Sequence, residues 1–397
     1  METSKALLAV LLAACHSSRT IPLAAPAVVP FELRGDYALV QVAVNGIPAT
    51  LILDSGSGAL VLDSAFARVA GVEMSRFIHA KAEGSTTTSV KIGNAREVRV
   101  GAATLAGVRV ASVDFHDVRA KMGRDIQGAI GYDLFKRFVV VVDYETRTMT
   151  LEEPATFNYS GTGVVLPLTF AHDVPVVAAT IMTRTKGSIP ARLHLDLGSA
   201  AYALRLSNKF VTRHGIEKDT TTVTGPFGTG VGGAVEGLLL RLPQLRIGSL
   251  AVNRPSTAIS RSRDGALGIN AATDGTIGAP ILRRARLILD YSRARAIFEP
   301  RSGFELADSV DASGLSLGST DGELGGVRVS YVVADGAGAR AGVRVGDELK
   351  SVDGVSVASP NPQRAREMLR PSGTTRNLLL QRGNDTLTVQ IHLSMVI

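Results

Sequence analysis

The chain contains no tryptophan, one cysteine at position 15 and only 5% aromatic residues in 397. A lone cysteine excludes a disulfide framework, a paired-cysteine redox centre and a cysteine-rich zinc site. The formal charge of +7 comes without a basic run or interleaved aromatics. It therefore reads as a solvated surface, with no nucleic-acid partner expected. The histidines lack metal-ligand spacing, so His116 and His194 read as structural. No nucleophile elbow with Ser, His and Asp partners is present, and the Gly-rich runs lack the strand and helix context of a phosphate loop. Neither metal nor cofactor is expected. What the chain does have is 45% hydrophobic residues and 41 glycines, which suits a mostly β protein with many tight turns rather than a disordered one. Its length predicts two or three domains.

The N-terminus, METSK followed by ALLAVLLAA, has a cationic start and an apolar stretch too short to span a bilayer. It ends in Leu12-Ala13-Ala14-Cys15, which resembles the lipobox of bacterial lipoproteins. The resemblance implies cleavage before Cys15, lipidation of its thiol and a membrane anchor. An ordinary signal peptide with an incidental cysteine is the alternative, and the small residues directly before Cys15 favour lipidation. His16 stands where an Asp would signal inner-membrane retention, so the expected location is the periplasmic face of the outer membrane, or the periplasm. Residues 16–30, rich in Pro and Ser, read as a tether.

Two phrases then recur in the same order. IPATLILDSGSGALVL from Ile47 returns as IPARLHLDLGSAAYAL from Ile189, which places Asp196 142 positions after Asp54. IGYDLFKRFVVVVDY from Ile130 returns as IGAPILRRARLILDY from Ile277, 147 positions on. Each half carries strand-Asp-x-Gly-Ser-strand, a β-rich middle, and Ile-Gly, a short amphipathic stretch and a strand ending in Asp-Tyr. A duplicated lobe is expected, with one copy over 31–155 and the other over 156–302. A polar linker at 303–312 leads to a module of roughly 85 residues at 313–397, within the usual domain range.

An acid ending an apolar strand costs several kcal/mol to bury unless it is paired or protonated. Two such acids, one per lobe, solve the problem by meeting. Like charges about 3 Å apart cannot both ionise near neutrality, so the pair shares one proton. One carboxylate then accepts a proton from water while the other donates to a carbonyl oxygen.

These residues resemble the pepsin and retropepsin clan of aspartic proteases over about residues 35–300. The resemblance implies a bilobal, pepsin-like double β-barrel and aspartic endopeptidase activity on a polypeptide substrate. It makes Asp54 and Asp196 the catalytic dyad. Ser57 and Ser199 would bond the outer carboxylate oxygens, Gly56 and Gly198 would form the tight turns, and Gly131 and Gly278 would pack behind them. Ser55 would reach across to lock the opposite loop. Its counterpart is Leu197, so half of that lock is expected to be missing. A catalytically inactive peptide-binding clamp is the competing reading. KAEGSTTTSVKIG from Lys81 and PFGTGVGGAVEG from Pro226 are the two candidate flaps over the cleft, with plain surface hairpins as the alternative.

The last module, with SGLSLG, AGVRVGDELKSVDGVSV and a helix-like NPQRAREML, resembles a bacterial PDZ domain, a small α+β fold. Gly314, Leu315, Ser316 and Leu317 then correspond to the loop and strand that take a C-terminal peptide. A domain used as an interdomain brace or self-association scaffold is the alternative.

Overall fold

In a computed structural model, the described residues are 22–397 apart from 82–86, 219, 231–232, 264, 266, 320–325 and 358–361. Cys15 and the proposed leader lie outside them. The described chain is mostly β, in three antiparallel-rich sheets with short helices between strands.

The two repeated phrases are neighbours in space within each half. Strand Ile47–Leu53 pairs in parallel with Gly128–Ile130, setting Leu53 opposite Ile130. Strand Gly187–Asp196 pairs in parallel with Gly275–Gly278, setting Asp196 opposite Gly278. The amphipathic stretches become the short helices Tyr132–Arg137 and Ala279–Leu282, each leading into a strand. Those strands, Val139–Asp143 and Ala285–Asp290, pair with each other at the centre of a sheet shared by both lobes. Val140, Val142, Leu287 and Leu289 face the main core, while Val139, Val141, Ile288 and Ile297 form a second cluster on the opposite face. Burial on both faces explains why the sequence here is an unbroken apolar run rather than an alternating one.

The first strand of this shared sheet, Ala27–Arg34, starts inside the segment expected to be tether. Ala27 and Val29 are buried and their neighbours exposed, and residues 27–30 pair with 148–151. The prolines at 26 and 30 concealed a two-residue period that is clear once its partner strand is known.

The C-terminal module has its own sheet and its own apolar core, which includes Leu315, Leu317, Leu349, Leu378 and Leu380. Its linker is not a free bridge. Asp308 is buried and accepts from Ser256 N at 2.7 Å, from the Ser256 hydroxyl and from Arg241 Nη1 at 3.2 Å, all in the second lobe. Arg241 Nη2 also donates to the Asp308 carbonyl. A buried charge held by this many donors fixes where the module begins.

Candidate active site

Asp54 and Asp196 end their strands at the junction of the lobes, and their carboxyl groups face each other. Gly56 N donates to Asp54 Oδ1 at 2.8 Å, and Gly198 N donates to Asp196 Oδ1 at 2.9 Å. The two loops repeat one another in detail: Tyr132 N donates to Ser57 O, and Ala279 N to Ser199 O. Gly131 and Gly278 lie against the main chain of the two loops. A Cβ on Gly131 would sit 2.3 Å from Ser57 O, and one on Gly278 would sit 2.5 Å from Ser199 O.

The motif glycines have a more specific reason than turn formation. A Cβ on Gly56 would lie 2.5 Å from Asp196 Cγ, and a Cβ on Gly198 would lie 2.5 Å from Asp54 Cγ. Each glycine is the vacancy into which the opposite lobe's carboxyl fits.

Burial is the largest influence on both acids and pushes both above the ordinary carboxylate range. The charge of each carboxyl beside the other, and a hydrogen bond between them, act on the pair as well, and the neighbouring Asp196 charge raises Asp54 further. The Arg205 guanidinium pulls Asp196 the other way. The Arg205 cation on the Asp196 side makes the dyad's surroundings asymmetric, and the two carboxyls titrate as one coupled pair. Asp63 occupies the position in the first lobe that Arg205 occupies in the second, nine residues after the motif acid. Asp63 caps the helix Ser64–Val69 and pairs with Arg119 at 2.9 Å.

The serines depart from what the resemblance implied. Ser57 Oγ donates to Ala59 O at 2.7 Å, turned back onto its own loop, and Ser199 Oγ is buried without a hydrogen-bond partner among the described residues. The acids are held instead by main-chain N–H groups of Gly56, Ser57, Gly198 and Ser199. The loop geometry already brings those donors to the carboxylates, so the hydroxyls are not needed there.

Ser55 performs the interlobe lock alone. Its Oγ donates to Leu195 O at 2.8 Å and accepts from Leu197 N at 3.0 Å. Leu197 supplies no return hydroxyl, but its side chain is fully buried in the main core, so the second loop is anchored by packing. Ser55→Ala is expected to orphan a buried N–H and C=O together and to cost about 2 kcal/mol or more. Ser57→Ala, losing one local bond, should cost about 1 kcal/mol. Urea unfolding of the two variants measures the difference; equal midpoints would contradict the lock.

His194, on the strand leading to Asp196, is held neutral: burial, with His172 and Arg192 nearby, pushes it down to about 4. Its Nε2 lies 3.4 Å from Thr273 Oγ1, a structural contact. Sequence reasoning missed Arg205 and Tyr37. Tyr37 lies within electrostatic reach of both dyad carboxylates and is pushed up to about 12, chiefly by burial. Arg205 alternates with the buried Leu204 and Leu206, the ordinary pattern of a strand, and only its position opposite Asp63 in the repeat marks it out.

Both candidate flaps are hairpins. Glu73–Lys81 pairs with Thr87–Val100, and Val223–Gly230 pairs with Gly233–Arg241; both tips lie outside the described residues. The second hairpin touches the C-terminal module: a Cβ on Gly225 would lie 3.7 Å from Val333 Cγ2, and the Tyr331 hydroxyl donates to Glu236.

In that module, Gly314 takes a left-handed φ of 67° at the start of the edge strand Leu315–Ser319. Leu315 N, one of the amides expected to receive a peptide carboxylate, donates to Ser313 Oγ at 3.1 Å. Leu315 and Leu317 are turned into the module's core, and Ser316 is half-buried.

Residues 40–134 match the family model of an aspartyl protease, and residues 328–382 match that of a PDZ domain. The first match covers Asp54 and its loop and stops within the helix Tyr132–Arg137. The likeness of the second lobe rests on the repeat and on the geometry above. No curated protein matches the chain.

Proposed function

We propose that the chain is an aspartic endopeptidase that cleaves polypeptides by activating water between Asp54 and Asp196. The observation that carries this reading is the reciprocal fit of the two carboxyls, each lying where a side chain on the other lobe's glycine would be. In the resting state Asp196 is charged and Asp54 protonated. As a water oxygen bonds to the scissile carbonyl carbon, Asp196 takes its proton and Asp54 gives its own to the carbonyl oxygen. Collapse of the resulting diol returns one hydroxyl proton to Asp54. The C–N bond breaks as Asp196 delivers its proton to the leaving nitrogen. The dyad ends as it began.

Incubation with an unfolded polypeptide from acidic to neutral pH, with the products identified by mass spectrometry, tests the reading. Absence of cleavage throughout would leave the inactive clamp, for which the close packing around the second hairpin speaks. Arg205 supplies a pH signature. Without its cation Asp196 holds a proton more tightly, so Arg205→Ala should move the acid limb of kcat/KM to higher pH. An unmoved limb would mean that Arg205 does not tune the dyad.

The PDZ module is read as a binder of polypeptide ends or as a brace on the protease lobes. Cys15 is read as the lipid-anchored first residue of the mature chain at the periplasmic face of the outer membrane. Loss of labelled fatty-acid incorporation in Cys15→Ser tests that anchor.

A further inference from the structure

The groove of the C-terminal module lies between its edge strand Leu315–Ser319 and the helix Pro362–Met368. One side of that strand pairs with Val327–Val332, and among the described residues the other side has no strand partner. A peptide adding a strand would need that free side. It is covered by the first lobe's own helix His116–Met122, which packs against both the edge strand and the groove helix.

Three details make this a fitted contact. Arg366, on the groove helix, donates through one Nη2 to Lys121 O at 2.8 Å and to Leu317 O, tying the docked helix to the edge strand. A Cβ on Gly318 would face Ala120 O at 3.8 Å, so the strand presents a bare surface where the helix end arrives. Lys121 is half-buried, and this desolvation, with the cations of Arg366 and Arg205 nearby, pushes its ammonium down to about 7. The turn before Tyr37 joins the contact, because a Cβ on Gly35 would lie 2.9 Å from Gln363 Oε1.

The same helix reaches across to the second lobe and packs against the hairpin strand Val223–Gly230. On that strand, a Cβ on Gly228 would lie 3.4 Å from Arg205 Nη2, and Arg205 acts on both Asp196 and Lys121. The docked helix, the second hairpin and the dyad's cation therefore form one contiguous assembly at the cleft.

We infer that the helix His116–Met122 is the resident ligand of the module's groove, and that holding it there keeps the first lobe closed against the hairpin Val223–Arg241. A polypeptide that adds a strand to the edge must displace this helix, which ties occupancy of the groove to access to the cleft. The inference builds on the protease reading only where it concerns access; the docking stands on its own.

Two variants test it in the full chain. Arg366→Ala removes the tie to Lys121 and Leu317. Gly318→Leu wedges the interface at a position whose backbone accepts a side chain, since its φ is not in the left-handed range. Hydrogen exchange followed by mass spectrometry should show faster uptake over 116–122 and 223–230 in both variants. Uptake over Thr375–Arg382, inside the module's sheet, should be unchanged, which shows that the module remains folded. Cleavage of an unfolded polypeptide should rise several-fold. Unchanged uptake over 116–122 in both variants would overturn the docking. Faster uptake there with an unchanged cleavage rate would overturn the link to the cleft. If neither wild type nor variants cleave, the protease reading fails, while the exchange result still decides the docking.

Discussion

Asp54→Asn and Asp196→Asn are each expected to abolish cleavage of an unfolded polypeptide, with kcat reduced on the order of a thousandfold or more while the protein stays folded. The size follows from the division of labour in the dyad. Removing either acid removes one of two simultaneous proton transfers, each worth roughly 10²- to 10⁴-fold, and leaves an amide that neither accepts water's proton nor donates a carboxylic one. Equal rates for wild type and both variants would end the protease reading.

Stability should move the other way. Both carboxyls are raised above the ordinary value of 3.8, mainly by burial. A folded state that holds a proton more tightly than the unfolded chain is favoured fully below the unfolded value and loses that advantage as pH rises through the folded one. The wild type should thus lose thermal stability from about pH 4 toward neutrality, and Asp54→Asn should lose less. A residual slope of the same sign remains from Asp133 and Asp311, which burial raises to about 6 each. The opposite slope comes from Asp347, held low by Arg382, and from Asp290, where bonds from Ser292, Arg295 and Arg293 outweigh burial. Those two contribute stability above the ordinary carboxylate range and lose it as pH falls. Comparing Tm against pH for wild type and variant cancels these shared terms and isolates the dyad.

How much of this was legible in the sequence depended on whether a residue's role was repeated. The two lobes state the acid, the glycine and the Ile-Gly strand twice, so Asp54, Asp196, Gly131 and Gly278 stand out in the sequence itself. The serines were misjudged because a hydroxyl's direction is not written in the chain: Ser57 turns to Ala59 O, and the acids rely on main-chain donors instead. Leu197 looked like a missing half of a lock. In the structure one Ser55 hydroxyl makes both bonds, and the leucine repays its lost hydroxyl with core packing. Arg205 and Arg366 were hidden for a different reason. Each looks like a solvated charge on a short element; Arg205 takes its meaning from Asp196, which the loop between them folds back beside it, and Arg366 from Lys121 and Leu317, far away in the chain.

The glycines of the two motifs give the other large effect. Gly56→Ala and Gly198→Ala are each expected to reduce kcat/KM by about a hundredfold or more and to destabilise the fold by about 1–3 kcal/mol. Neither residue has the left-handed backbone that would make alanine strained by itself. The cost comes from across the interface, where the new methyl would lie 2.5 Å from the opposing carboxyl carbon and under 3 Å from both its oxygens. Asp196 cannot retreat from Gly56→Ala without giving up its bond from Gly198 N, and its loop is pinned by the buried Leu197. Asp54 meets the same obstacle in Gly198→Ala, with its loop fixed by Ser55. The acids therefore separate by rotation of the lobes, which lengthens the bond that shares their proton and lowers the more perturbed value toward the ordinary range. Activity and the pH dependence of Tm should fall together in both variants. A glycine variant with wild-type cleavage would mean that the carboxyls do not meet at this distance, and would remove the observation on which the dyad rests.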